Sequence, residues 1–363
     1  PMMRFVYPTT ILRLILIGLQ AHPLTSYLRR NGTLNKRLGN KILAGYSGKR
    51  ILITGGRGYL ASNMVNLLRD ADCTIIRLVR TEAAFLPVIS TAKIEDVIGD
   101  VRQRETWEHV LDGIDIVFHF AAQTDVYVAN EDPLADLEVN VLPMLYLLEV
   151  CRHKGWQPVV LFSGTVTETG IPNSLPVDET HTDNPVTIYD LHKLKAEDYL
   201  KYYVRKGTVK GAVLRLSNVY GPGPKSSSPT RGIINQMIRS ALVGKTLTVY
   251  GEGDCLRDYI YIEDVVRAFL EAAMNIEQLN GQHFVIGSGQ GYTIAQAINL
   301  VSDRVALKTG KRVPVIHITP PSLQSPIETR DFVADSCRFH QVTGWKALYS
   351  FPEGIDRTIE AFS

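Results

Sequence analysis

Short unbroken apolar runs alternate along this chain with stretches in which apolar residues recur every three or four positions. The first run, Ile51-Leu52-Ile53, opens at Arg50 and stops after Thr54 at the glycine cluster Gly55-Gly56-Arg57-Gly58. The spacing then becomes helical through Leu60, Met64, Leu67 and Leu68. Further runs at 74–80, 97–101, 115–122 and 158–165 predict buried strands, and 134–152 and the segment from Tyr189 through Leu200 predict helices. Strands apolar on both faces and separated by helices form parallel sheets covered on each side. The predicted class is therefore α/β, a Rossmann-like doubly wound parallel sheet. Later elements, a helix at 231–242 and strands at 247–250 and 283–286, predict a smaller substrate lobe, discontinuous in sequence. The expected divisions are an arm over 1–48, a dinucleotide-binding part over 49–217 with a return near 259–308, and a lobe from 218–258 and 309–363.

The first strand-turn-helix carries the chemistry of a dinucleotide site. Gly55 permits a tight turn, Gly58 lets backbone approach a pyrophosphate, and Ala61 lets the helix lie close to the strand. Backbone N–H groups at the helix start, around Tyr59 and Leu60, face the phosphates. The second strand ends at Arg80, where a carboxylate usually reads a ribose 2′-hydroxyl. With Arg57 inside the turn, this guanidinium suits a 2′-phosphate, so the cofactor is NAD or NADP with a lean to NADP. Asp100, with Val101, ends the third strand as an acceptor for the adenine amino group. Ala121 and Ala122 leave room for a flat cofactor, and His119 reads as a core histidine.

A second constellation follows the strand 158–165. Tyr189 and Lys193 lie four apart, on one helix face, one helix after the hydroxyls of Ser163 and Thr165. A tyrosine of ordinary pKa near ~10 is a poor base at neutral pH, but an ammonium one turn away favours the phenolate. Either hydroxyl then holds the substrate oxygen.

Composition changes this picture little. The 363 residues are 45% hydrophobic and 21% charged, as in soluble globular proteins, and the formal net charge is +2. Its distribution is uneven, because residues 1–50 contain Arg and Lys but no Asp or Glu. Apolar residues 10–19, interrupted by Arg13, fall short of the roughly 20 needed to span a bilayer. The arm is read as packing on protein or a neighbouring subunit, in preference to lying on a membrane surface. Nucleic acid is not an expected partner, since basic residues there lack interleaved aromatics. The four cysteines are widely spaced without ligand patterns, which predicts a cytoplasmic protein with no metal site.

In one order, the chain carries TGGRGYLA, Gly99-Asp100, HFAA, the Ser163 turn, YDLHK, LRLSNVYGPG, GEGDCLRDYIYIED and ETRD with Asp335. From about Lys49 onward it resembles the extended short-chain dehydrogenase/reductase family, in particular its nucleotide-sugar epimerase and dehydratase branch. The resemblance implies Tyr189 as acid-base, Lys193 as ribose holder and tuner of Tyr189, and Ser163 as partner of the reacting sugar oxygen. It implies contact of Asn218 with substrate, and Arg257 and Arg330 as a clamp on a nucleoside diphosphate. It also implies a homodimer through the helices of Leu134 and Val186. Two departures narrow the activity. Gly164 and Thr165 stand where dehydratases carry Asp-Glu, and Thr167 replaces a usual aromatic. The expected activity is epimerisation of a nucleotide-sugar through a transient ketone at carbon 4. The alternatives are an NADPH-dependent ketoreductase, to which Arg80 points, and a catalytically silent nucleotide-binding scaffold.

Overall fold

The computed structural model describes residues 42–82, 90–224, 232–321 and 325–363. The expectations for the arm therefore lie almost wholly outside the described residues, as do Arg231 and most of 222–229.

The apolar runs become one seven-stranded parallel sheet. Its strands are β1 (Arg50–Thr54), β2 (Thr74–Val79), β3 (Lys93–Ile98), β4 (Ile116–His119), β5 (Val159–Thr165), β6 (Lys210–Leu216) and β10 (His283–Ile286), in the spatial order β10-β6-β5-β4-β1-β2-β3. The order reverses between β1 and β4, so the crevice for a ligand opens at their carboxyl ends. Alternate residues of each strand face opposite layers. Ile51, Ile53, Phe118 and Leu161 pack with helix α1 (Tyr59–Leu68) and helix α8 (Ile262–Met274). Leu52, Val117 and Phe162 face the other layer, helices α2 (Arg104–Val110), α5 (Leu142–Lys154) and α6 (Ile188–Arg205).

Two expectations about elements are corrected. The predicted helix 134–152 is broken: α4 (Pro133–Asn140) ends at Val141 and α5 starts afresh with Pro143 in its first turn, where the missing N–H costs nothing. A short helix α3 (Val126–Glu131), capped by Asp125, precedes them. The strand 283–286, grouped with the lobe by its place after 247–250 yet inside the expected return of the dinucleotide-binding part near 259–308, is the edge strand β10 of the main sheet, paired with β6. The lobe contains β7 (Asn218–Tyr220), β9 (Leu256–Tyr261) and β11 (Gly291–Thr293) in one small sheet. Strands β8 (Leu247–Tyr250) and β12 (Val315–Ile318) form another. Helices α7 (Ile233–Leu242), α10 (Ile294–Thr309) and α12 (Phe351–Phe362) pack around them, with α9 (Ile276–Leu279) and α11 (Cys337–Thr343) nearer the main sheet. Buried residues of the lobe, such as Ile238, Val249, Ile298 and Ile355, belong to the same apolar cluster as Ile51 and Phe118. The lobe thus shares its core with the sheet.

Candidate active site

The glycine turn is built as the cofactor reading requires, with the work divided differently. Gly55 has φ +63°, and a Cβ there would stand 3.1 Å from the backbone of Ala121. The turn and the end of β4 therefore meet backbone to backbone. A Cβ on Gly56 would come within 2.5 Å of the Arg77 Cβ, so this glycine, overlooked in the sequence, is needed for packing on β2. Gly58 spends its N–H on the Gly55 carbonyl at 2.6 Å. Helix α1 has no side-chain cap and no acidic residue in its first turn, which leaves the positive end of its dipole facing the crevice. This cradle fits a dinucleotide.

Thr54 locks it. Its hydroxyl accepts from the Phe120 and Ala121 amides, each at 3.0 Å, and lies 2.8 Å from His119 Nδ1. With both lone pairs engaged, the hydroxyl proton goes to Nδ1, which leaves the histidine proton on Nε2. His119 is the buried core residue expected. Burial, with the nearby Lys193 charge, pulls it down to about 3, so it stays neutral.

The adenosine end departs from expectation. Arg57 Nη2 pairs with Asp96 at 2.7 Å, a carboxylate shared with Arg77 Nε at 2.6 Å, and Arg57 Nη1 donates to the Thr81 carbonyl at 2.9 Å. Its charge is thus compensated within the protein. Arg80 is exposed at the end of β2. Asp100 receives the Arg102 side chain and amide, which hold its carboxyl below the usual range, and the Val101 carbonyl accepts from Trp107 Nε1. Tyr59 reaches over to donate to the Gly221 carbonyl at 2.9 Å, pinning the loop after β7 to α1, while Leu60 packs on the core.

Helix α6 begins at the Thr187 cap and places Tyr189 and Lys193 on one face, both buried. Lys193 Nζ sits 4.0 Å from the centroid of the Phe162 ring, a cation–π contact that partly replaces lost water. Burial pulls its ammonium down to about 8 against the opposing pull of Glu168, Asp136 and Glu197. Ser163 and Thr165 point to one face of β5. Ser163 is buried and donates to the His119 carbonyl at 3.3 Å. Thr165, half-buried at the strand end, caps the 3₁₀ turn Val166–Thr169, its hydroxyl 2.9 Å from that of Thr167. The Thr165 amide donates to Glu168, which is buried against Arg215 with Glu197.

Two buried groups on α6 gave no signal in the sequence. His192 Nδ1 meets Asp136 of α4 at 2.7 Å, and the same carboxylate accepts from Gln123 and Asn140. Asp190 is fully buried beside Tyr189.

On the lobe, Asn218 starts β7 and pairs in register with Tyr259 of β9. Arg257 and Arg330 come together, but their guanidiniums hold backbone: Arg257 donates to the carbonyls of Arg330, Leu256 and Glu328, and Arg330 to that of Ile327. Asp258 does not pair with Arg257; it accepts from Ser288, Gly289 and Ala334. Among the described residues no cluster of His, Cys, Asp and Glu could hold a metal ion, and no helix is long and apolar enough to cross a membrane.

Comparison with known proteins agrees with this geometry. Residues 51–287 match the model of the NAD dependent epimerase/dehydratase family. A putative UDP-glucose 4-epimerase of Methanocaldococcus jannaschii is 31% identical over 312 residues, covering 85% of this chain and 97% of that protein. The UDP-glucose 4-epimerase of Thermotoga maritima, solved with UDP-glucose, superposes with a TM-score of 0.76 at 28% identity, over 86% of this chain and 98% of the other. That of Thermus thermophilus, solved with NAD, gives 0.72 at 28% identity, with the same coverage. The family match spans the cofactor turn, the Tyr189–Lys193 helix and both strands that flank them, so the chain belongs to the NAD-dependent epimerase/dehydratase family, within the nucleotide-sugar epimerase branch of the extended short-chain dehydrogenases/reductases.

Proposed function

We propose that this enzyme epimerises a nucleoside-diphosphate sugar, with UDP-glucose and UDP-galactose as the substrate pair, by transient oxidation of the carbon-4 hydroxyl. The observation that carries this reading is the placement of Tyr189 and Lys193, both buried on one face of the helix α6, which packs on β5 and on the turn that follows it. Tyr189, as phenolate, takes the proton of the sugar hydroxyl and later returns it. Lys193 keeps a positive charge one turn away, which favours that phenolate. Thr165, or Ser163 deeper in the strand, holds the sugar oxygen. The chemistry that NAD supplies when bound in the Gly55–Ala121 cradle is reversible hydride acceptance. Arg257 and Arg330 hold the diphosphate by exchanging backbone carbonyls for phosphate oxygens, and Asn218 contacts the sugar or phosphate. The only carboxylate in the turn after Thr165 is Glu168, which is committed to Arg215, so the site lacks the acid that elimination of water needs.

The test is interconversion of UDP-glucose and UDP-galactose followed by proton NMR. Tyr189→Phe is expected to lower kcat by about 10³-fold, within the range for removal of a general base. Because the Lys193 ammonium titrates near 8, kcat should decline as pH rises through about 8. A profile flat to pH 10 would remove Lys193 from this role.

A second reading, an NADPH-dependent ketoreductase, is favoured by the exposed Arg80 at the end of β2. Nucleotide released from denatured protein separates the two. Tightly retained NAD supports the epimerase, whereas empty protein that prefers NADPH supports the reductase. The exposed apolar residues Val128, Leu134, Val186 and Leu191 on and beside α3, α4 and α6 support a homodimer through these helices. Light scattering should then give about twice the chain mass of 40.4 kDa. Four unpaired cysteines support a reducing, cytoplasmic setting.

A further inference from the structure

Little secondary structure holds Asn218 in place. Its strand, β7, is three residues long and lies at the edge of the small sheet, with β9 as its neighbour. The turn that follows, Gly221-Pro222-Gly223, has no long side chain of its own to anchor it. A short edge strand and a glycine turn leave backbone groups that other residues must satisfy. Here side chains from two helices do so.

Helix α1, whose first turn belongs to the cofactor cradle, supplies two of them. The Tyr59 hydroxyl donates to the Gly221 carbonyl at 2.9 Å, and Asn63 Nδ2 donates to the Pro222 carbonyl at 3.1 Å while also meeting the Tyr59 carbonyl at 3.0 Å. Helix α7 of the lobe supplies the others. Asn235 Oδ1 accepts the Gly221 amide at 3.0 Å, its Nδ2 donates to the Tyr59 hydroxyl at 3.4 Å, and Arg239 Nη2 donates to the Gly223 carbonyl at 3.3 Å. Gly221, Asn235 and Tyr59 thus close a ring of hydrogen bonds in which the hydroxyl both donates and accepts. Packing agrees with it. A Cβ at position 223 would stand 2.6 Å from the Tyr59 ring, and one at position 221 would stand 2.5 Å from Ile262 of α8.

We propose that Tyr59 is a positioning residue for the nucleotide-sugar: its hydroxyl, with Asn235, holds the Gly221–Gly223 turn against the cofactor helix, so that β7 presents Asn218 to the substrate already in place. The backbone of Tyr59 serves one ligand and its side chain the other. A turn fixed before substrate arrives loses no further freedom on binding, which strengthens ground-state and transition-state binding alike. The effect therefore falls on KM and on UDP affinity, and leaves kcat nearly alone.

The inference rests on the epimerase reading, and the experiment separates the two. Tyr59→Phe removes the hydroxyl and keeps the ring on Gly223; Asn235→Ala breaks the same ring of hydrogen bonds from α7. In NAD-loaded enzyme each variant is expected to weaken UDP binding at least fivefold by calorimetry. KM for UDP-glucose should rise by a similar factor with kcat changed less than threefold, and the double variant should be no weaker than the weaker single. UDP affinity equal to wild type, a fall in kcat at constant KM, or multiplying effects in the double would each overturn the proposal. Should Asn235→Ala fail to fold, Tyr59→Phe carries the comparison. A substrate-independent measurement guards against error in the functional reading. Amide hydrogen exchange over 218–224, measured on NAD-loaded enzyme without substrate, should quicken at least fivefold in Tyr59→Phe, with exchange over 159–165 of β5 unchanged. Wild-type enzyme inactive on both UDP-sugars rejects the epimerase reading alone, whereas unchanged exchange over 218–224 rejects the clasp.

Discussion

Thr54 shows how much one side chain decides. A threonine at the end of a strand is unremarkable by propensity, yet its hydroxyl satisfies two amides of the β4 turn and the ring of His119. Thr54→Val keeps the shape and leaves these groups without their partner, so a loss of about 2 kcal/mol is expected in urea unfolding, with weaker retention of NAD. His119 has a consequence in pH. Its folded value, near 3, lies below that of an unfolded histidine, so the unfolded state binds the extra proton between about 3 and 6.5. The stability that neutral His119 contributes is therefore complete above pH 6.5 and is lost as the pH falls towards 3. Denaturation midpoints across this window should fall less steeply for His119→Gln than for wild type.

At the scale of elements, the active site depends on how three helices are held against the sheet edge. Helix α6 carries Tyr189 and Lys193, but its rotation is fixed from outside, by His192 on Asp136 of α4. That carboxylate also gathers Gln123 from the β4 loop and Asn140 from its own helix. Asp136→Ala would leave several buried donors without an acceptor, and a loss of about 3 kcal/mol is expected together with a lower kcat. A change in KM alone would instead assign the cluster to substrate binding. The glycine turn makes the complementary point, since Gly55→Ala would meet both a left-handed φ and the Ala121 backbone.

For the whole molecule, the shared core matters most. The lobe expected to be separate contributes Ile238, Val249, Ile298 and Ile355 to the cluster that begins at β1. The two parts should consequently unfold together. Near-ultraviolet dichroism and loss of bound cofactor are expected to report one coincident thermal transition, and two well-separated ones would indicate independent cores. In the lobe, Arg257 and Arg330 are brought together although they lie far apart in the chain, Arg257 donating to the Arg330 carbonyl.

The amino-acid sequence determined the features that are local in the chain: the strand-turn-helix at Gly55, the one-turn spacing of Tyr189 and Lys193, the parallel class of the sheet, and the order of motifs that identifies the family. Each is set by steric demands or periodicity within a few residues. Even the break at Pro143 was legible there, although the apolar periodicity concealed it. Tertiary structure alone decided what depends on partners far along the chain. It gave Arg57 to Asp96, turned Arg257 and Arg330 onto backbone carbonyls, set β10 beside β6, and joined His192 to Asp136. A side chain's charge, hydrogen bonds and solvent exposure are properties of its neighbours, and folding chooses those neighbours from residues that no local pattern connects.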